Sequence, residues 1–416
     1  MKKRTRDGAH AAAPLYEGYA VPHAGWQVAV VDARTVTPES FFEDYVKSRK
    51  PVVLDSHAPL GRGWKGAAQW ADLEAMDAAL AAAGGGGAVK VEERAAGGGG
   101  GGGGGFGAGR TGRMPVRDAV ARAARGDEGM YLTTQDVDDE APGAAGLMAS
   151  PLSELRAWFP LRPALAGNLL PAQYNIWLGA AKDGASTPLH LDHHDNFYCL
   201  CAGRKQLSVF SPADAPLLQT HAPVVHVHRN GRVNFDGLDT NADGSEVLTG
   251  ADAAMAACLS RAAEASSSAA AAVAGDDDDD EAALEAALEA ALEEGGDEDD
   301  YDDSDVGSES GGDEDEDEDE DDAGSEPPPN FSRIDLSRPV RETDARLTEG
   351  FAEVAAGQIL YLPAGWAHRV TSFTGADTKF HLAFNFWMHP PDGVDFEKPY
   401  TDGHWSREWA ARGAEE

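Results

Sequence analysis

The segment Thr187-Pro-Leu-His-Leu-Asp-His-His-Asp-Asn196 gathers three histidines and two aspartates within ten residues. On a β-strand, residues i and i+2 face the same way, so His190 and Asp192 can reach one point inside a barrel. One imidazole nitrogen and one carboxylate oxygen are two of the three ligands of a 2-His-1-carboxylate centre, which leaves open positions on an octahedral Fe(II). A lone His-X-Asp triplet is weak evidence, because such triplets arise by chance. The second half lies far along the chain. Gly357-Gln-Ile-Leu-Tyr-Leu-Pro-Ala-Gly-Trp-Ala-His368 reads as a turn, a strand, a Pro/Gly bend and a histidine at the strand's exit, placed to aim His368 back at the same metal.

Other residues of these types have blander readings. His193 and His194 are taken as loop residues beside the site, since one strand face cannot present them all to one ion. His226 and His228 alternate on a strand with no carboxylate in register and are taken as surface. His381 shares a face with Ala383 and Asn385 and is taken as a core histidine with its ring satisfied. Trp366, Phe384, Phe386 and Trp387 are taken as core, and Cys199 and Cys201 as small buried hydrophobes.

Positioning these residues requires a scaffold. Thr37-Pro38-Glu39 reads as a helix start, with Phe41, Phe42, Tyr45 and Val46 as its apolar face. Trp70, Leu73, Met76 and Leu80 sit at helical spacing, and residues 116–124 form a further helix. Short strands are expected at 51–54, 88–92, 130–134, 174–178, 197–200, 206–210, 358–362 and 381–387. Such strands joined by turn residues argue for a barrel or sandwich. Two glycine runs, 84–87 and 97–105, have no side chains to bury and are expected to be flexible loops.

The 416 residues carry a net charge of −38, but 29 of the 72 acidic residues fall in 276–326, which leaves −9 for everything else. A mildly acidic body argues against duplex nucleic acid held by its phosphates. The acidic tract repels itself and is expected to be disordered. No apolar run approaches the length of a membrane-spanning helix. Three cysteines without a CxxC pair point to a reducing compartment, cytoplasmic or nuclear. The short basic cluster Lys2–Arg6 is taken as solvated rather than as a nuclear address.

On its two motifs the chain resembles the JmjC-type, cupin-like Fe(II) and 2-oxoglutarate dioxygenases, and within them the small hydroxylase branch that acts on lysyl and asparaginyl side chains of proteins. The resemblance spans 37–387 apart from the insert. Trp177-Leu-Gly179, Leu189-His-Leu-Asp-His193 and Asn196-Phe-Tyr-Cys199 lie closer to the lysyl hydroxylases. It implies a mainly β fold with flanking helices, a double-stranded β-helix or jelly roll carrying a long disordered acidic insert. The expected layout is a flexible tail at 1–22, the first part of the barrel with its N-terminal elements at 23–239, the insert at 240–329, the second part at 330–400 and a C-terminal tail at 401–416.

The resemblance further implies His190, Asp192 and His368 as metal ligands, Fe(II) as the metal, and 2-oxoglutarate and O2 as cosubstrates. Thr187, three residues before the first ligand, and Lys205, fifteen after it, would bind the far carboxylate of 2-oxoglutarate. Asn196, Asn385 and Tyr131 would lie beside the cosubstrate. The chemistry of the residues agrees, since a dicarboxylate anchored at a metal needs a cation, helped by a hydroxyl, at its other end. The expected activity is hydroxylation of a protein side chain, with a basic protein as a candidate substrate. N-demethylation of lysine, hydroxylation of transfer RNA and a non-catalytic scaffold acting through the acidic tract are the alternatives.

Overall fold

Two β-sheets face each other across the barrel in the computed structural model, which describes residues 16–93, 110–138, 141–248, 327–336 and 338–413. The chain divides into two compact units, Met1–Glu246 with Asp322–Glu416, and Val247–Asp321. Only 247 and 248 of the second unit are described, and the fold is that of the first. Among the described residues the larger sheet runs Val30–Val31, Val52–Leu54, Ile359–Leu362, Asp195–Ala202, His381–Met388, Pro171–Gly179, Met130–Leu132, Ala88–Glu93 and Arg110–Pro115. The smaller runs Trp26–Gln27, Gly350–Ala355, Arg204–Phe210, Ala367–Phe373 and Ala185–Ser186, with His190–Leu191 also paired to Ala367–Phe373. This is the mainly β, jelly-roll arrangement that the sequence implies.

Strand alternation sorts the side chains. Along Asp195–Ala202, Phe197, Cys199 and Cys201 point outward into the larger apolar core, while Leu200 points between the sheets to join Leu207, Val209, Val354 and Leu360. Helices cover the outer face. Thr37 caps Pro38–Phe41 through a reciprocal pair with Ser40, and Phe41 lands 5.6 Å from the Phe197 ring and 5.1 Å from Tyr361. Each such fully buried aromatic contributes roughly 1.5–3 kcal/mol. Asp72 caps Leu73–Ala82, whose Leu73, Met76 and Leu80 form the buried stripe, and Trp70 packs against Phe384 at 5.2 Å.

Several expectations need correction. Glycines 84–86 form an ordered turn with positive φ, not a loose loop; the Gly85 amide donates to Leu80 and Val116 donates to Gly87. The run 97–105 lies outside the described residues. Val21 is buried and the Tyr19 amide donates to Ser48, so the body begins before residue 23. The C-terminal stretch contains the helix His404–Ala411, whose Trp405 stacks 3.4 Å from His389. Gly350–Ala355 and Ala367–Phe373 are strands the pattern did not mark. His368 is the second residue of the latter rather than the exit of the strand before it.

The insert boundary also moves. Thr240 bridges to Glu246 and accepts from Arg232 at 2.8 Å, from Asn234 at 2.9 Å and from the His228 ring at 3.0 Å. His226 and His228 are thus half-buried rather than surface, with rings 4.4 Å apart. The far end is anchored by Pro329, whose carbonyl accepts from Ala222 at 3.1 Å. Residues 249–326, with the acidic tract, lie outside the described residues. A variant with 249–326 replaced by a short Gly/Ser linker should keep its unfolding free energy. One that also removes 240–248 strips Arg232 and Asn234 of partners and should lose about 1–3 kcal/mol in urea unfolding. Equal stability of the two would contradict this boundary.

Candidate metal centre

His190 and His368 are directly opposed across an antiparallel pair, His368 lying also beside Val209 on its other side. Opposed residues on one face bring their Cβ atoms within about 5 Å, and the two rings sit with centroids 4.3 Å apart. Asp192 follows immediately after the His190–Leu191 strand. Its oxygens lie 3.8 Å from His190 Nε2 and 3.6 Å from His368 Nε2. These separations are too long for direct hydrogen bonds, but donors each roughly 2.0–2.2 Å from a shared ion span them. One ligand atom from each of the three residues lies within 4.8 Å of the others.

Backbone carbonyls fix which nitrogen faces the centre. His190 Nδ1 donates to Pro188 O and His368 Nδ1 to Trp366 O, both at 2.9 Å. The Nε2 lone pairs are thereby turned toward Asp192, as second-layer partners do for metal-bound histidines. Burial pushes the His368 ring down to about 4, with His190 adding to the effect, so it is neutral and ready to ligate near pH 7. Two nitrogens and one carboxylate form a donor set suited to a divalent transition metal with open positions.

The two halves of the site are locked together. The Gly365 amide donates to the Asp192 carbonyl at 2.9 Å. Gly365 has φ +76, and a Cβ there would meet Gly231 O at 1.8 Å, so only glycine fits the bend that leads to His368. Asp195, fully buried, accepts from Tyr361 at 2.6 Å, from the Ala364 amide at 2.9 Å and from Arg49 at 2.9 Å. The pattern gave no signal for Arg49, which pairs with Asp195 across 146 residues of chain.

A cavity of ≈ 250 Å³ opens on the three residues. Thr187, Asn196 and Tyr131 line it, as do Trp177, Trp387, Asn330 and Phe331, none of which had been marked for the site. The Thr187 hydroxyl accepts from the Val370 amide at 3.2 Å. Lys205 lies behind the wall, fully buried, its Nζ 5.9 Å from the ring centroids of both Tyr131 and Tyr198. Burial pushes its ammonium down to about 7. Asn385 does not reach the cavity; it accepts from Trp177 at 2.8 Å and donates to Asn196 at 3.1 Å, orienting both. Phe331 stacks on His190 at 5.0 Å, so the chain leaving the insert crosses directly beside the centre.

His193 and His194 stand off the three-residue group, as expected. His194 stacks on Trp387 at 5.4 Å, and burial pushes it down to about 3. His381 is buried, but among the described residues its Nε2 has no hydrogen-bond partner, so the expectation of a satisfied ring fails. Burial raises the thiols of Cys199 and Cys201, which makes them unreactive as expected.

Substituting His190, Asp192 or His368 by alanine should weaken binding of a divalent metal by at least roughly 10–100-fold, the range seen for partners one bond further out. The melting temperature without metal should change little. Unaltered metal stoichiometry in all three variants would refute the assignment.

Comparison with known proteins is consistent with this geometry. The cupin-like domain family matches residues 38–393. The chain is 29% identical over 438 aligned residues to JmjC domain-containing protein 4 of Schizosaccharomyces pombe, covering 93% of this chain and 90% of that protein. It is 36% identical over 67 residues to the human bifunctional peptidase and (3S)-lysyl hydroxylase JMJD7, a match of 16% of this chain and 20% of that protein. Among the described residues no helix is long and apolar enough to cross a membrane. With the family match running through both sheets and all three residues of the centre, the chain belongs to the JmjC-type, cupin-like domain family.

Proposed function

We propose that this protein is an Fe(II)- and 2-oxoglutarate-dependent oxygenase that hydroxylates a protein side chain, with lysine as the favoured target. The observation that carries the proposal is one cavity with two nitrogens and a carboxylate converging at one point and a buried cation, Lys205, behind another stretch of its wall. His190, Asp192 and His368 hold the iron. Bound there, Fe(II) supplies the redox chemistry that couples decarboxylation of 2-oxoglutarate to succinate and CO2 with transfer of one oxygen atom from O2 to a substrate carbon.

The chain's own residues bind and orient. Lys205, helped by Thr187 and Tyr131, takes the far carboxylate in a charge-assisted hydrogen bond. Asn196, held by Asn385, flanks the cosubstrate. Leu207, Leu360, Leu362 and Val370 form an apolar wall that keeps bulk water from it. Trp387 and Phe331 offer aromatic faces suited to an aliphatic side chain ending in an ammonium group. The local match to a human (3S)-lysyl hydroxylase supports lysine over other residues. The acidic tract 276–326 suits a basic protein substrate, attracted over about 8 Å at physiological salt. Two buried, unreactive cysteines suit a reducing compartment such as the cytoplasm or nucleus.

The test is succinate release together with mass spectrometry of candidate basic proteins. Gain of one oxygen atom supports hydroxylation, and loss of methyl groups with formaldehyde release would replace it by demethylation. Lys205→Ala should raise the KM for 2-oxoglutarate roughly ten- to a hundredfold while leaving iron content unchanged. An unchanged KM would show that another group holds the carboxylate.

The pH profile carries a sign. The groups facing Lys205 are Tyr131 and Tyr198, raised by burial, and His381, lowered by burial and by Lys205, so Lys205 is the member of this set that titrates near neutrality. The ammonium is charged below about 7. Affinity for 2-oxoglutarate should therefore be highest below that pH and fall as pH rises, until the pKa of the bound state is reached. Affinity that rises with pH between 6.5 and about 8.5 would contradict this.

A further inference from the structure

We infer that His381 is a positioning residue for the cosubstrate: as a neutral imidazole it accepts one N–H of Lys205 and, with Ser372, leaves the third N–H of that ammonium for the far carboxylate of the ligand. The inference rests on the function proposed above and assigns a role to a histidine that the metal centre does not use.

Lys205 and His381 approach from facing sheets, the one on Arg204–Phe210 and the other at the start of His381–Met388. Both are fully buried. The Lys205 Nζ lies 2.5 Å from Ser372 Oγ and 3.4 Å from His381 Nδ1. An ammonium has only donors, so Nδ1 must accept and the ring proton sits on Nε2. Burial and the neighbouring Lys205 hold the ring well below its ordinary pKa, which keeps it neutral beside the cation. That leaves two N–H groups of Lys205 engaged and one free.

The fold makes room for this imidazole. A Cβ on Gly203, which has φ +85, would meet His381 Cβ at 2.6 Å. A Cβ on Gly179 would meet Tyr131 at 2.8 Å and His381 Cε1 at 3.4 Å. Yet the group lacks a negative charge. Among the described residues no carboxylate pairs with Lys205, although buried cations are ordinarily paired. A buried cation held by two neutral acceptors next to a cavity is a site prepared for an anion that arrives with the ligand.

The test uses the full chain loaded with Mn(II), which occupies the centre without turnover, and two ligands read by quenching of tryptophan fluorescence. 2-Oxoglutarate has the far carboxylate, whereas pyruvate keeps the keto-acid end and lacks it. His381→Leu should weaken 2-oxoglutarate binding roughly tenfold and leave pyruvate binding unchanged. His381→Asn, whose carboxamide oxygen can stand in for Nδ1, should recover most of the loss, and His381→Phe, which fills the ring's space without an acceptor, carries the comparison if the leucine variant does not fold. Equal weakening of both ligands, or 2-oxoglutarate binding untouched by the substitution that removes the acceptor, would overturn the role of His381. A wild-type chain that does not distinguish 2-oxoglutarate from pyruvate would instead overturn the proposed function, and this inference with it.

Discussion

The buried pair of Arg49 and Asp195 is the constraint on which the site depends. Arg49 lies in the turn after the helical stretch 38–46, and its guanidinium meets Asp195 through both Nη atoms, with a further bond from Nε to Asn230 O at 2.8 Å. Asp195 lies three residues after Asp192 and also accepts from Ala364, four residues before His368. One carboxylate therefore fixes the turn that carries Asp192 against the bend that carries His368. A buried ion pair is itself weak evidence for stability, but removing either partner strands the other, at a cost of about 3–5 kcal/mol. Its value here is positional. Tyr361 and the Ala364 amide complete the hydrogen bonding of Asp195, so the join between the two halves of the site has no slack.

Charge explains why a dicarboxylate suits this cavity. With a divalent metal at the centre, Asp192 cancels one of its two charges and Lys205 adds one elsewhere, so the metal end and the Lys205 end each carry one positive charge, with Glu92 also on the cavity wall. A dicarboxylate dianion neutralises both, whereas a monoanion leaves one exposed to a low-dielectric surrounding. The cation is stored in advance beside aromatic rings, and its pKa near neutrality reflects the cost of burying it without a carboxylate partner.

The sequence displayed the metal centre because strand geometry is short-range. His190 and Asp192 are two residues apart, and the Pro/Gly bend before His368 is a local signal. The strands Pro171–Gly179, Asp195–Ala202, Arg204–Phe210, Ile359–Leu362 and His381–Met388 were legible for the same reason, as runs of apolar and aromatic residues, whereas Gly350–Ala355 and Ala367–Phe373 were not. Relationships made by register or across long separations were not legible. Nothing local pairs Arg49 with Asp195, places Lys205 against His381, or sets Phe331 on His190 after a long insert. The helix His404–Ala411 lies in the stretch 401–416 that was expected to be a tail, and at eight residues it is too short for its pattern to stand out. Gly84 to Gly87 misled because composition describes freedom, while the turn they form is set by hydrogen bonds to Leu80 and Val116.

The central claim is that one ligand spans from the three-residue centre to Lys205. A crystal structure of the chain with Mn(II) and N-oxalylglycine, an unreactive analogue of 2-oxoglutarate, tests it directly through the anomalous signal of the metal. The account predicts a single strong peak bonded to His190 Nε2, Asp192 and His368 Nε2, with the far carboxylate of the analogue about 3 Å from Lys205 Nζ. A peak elsewhere, or an analogue whose far carboxylate points away from Lys205, would contradict it.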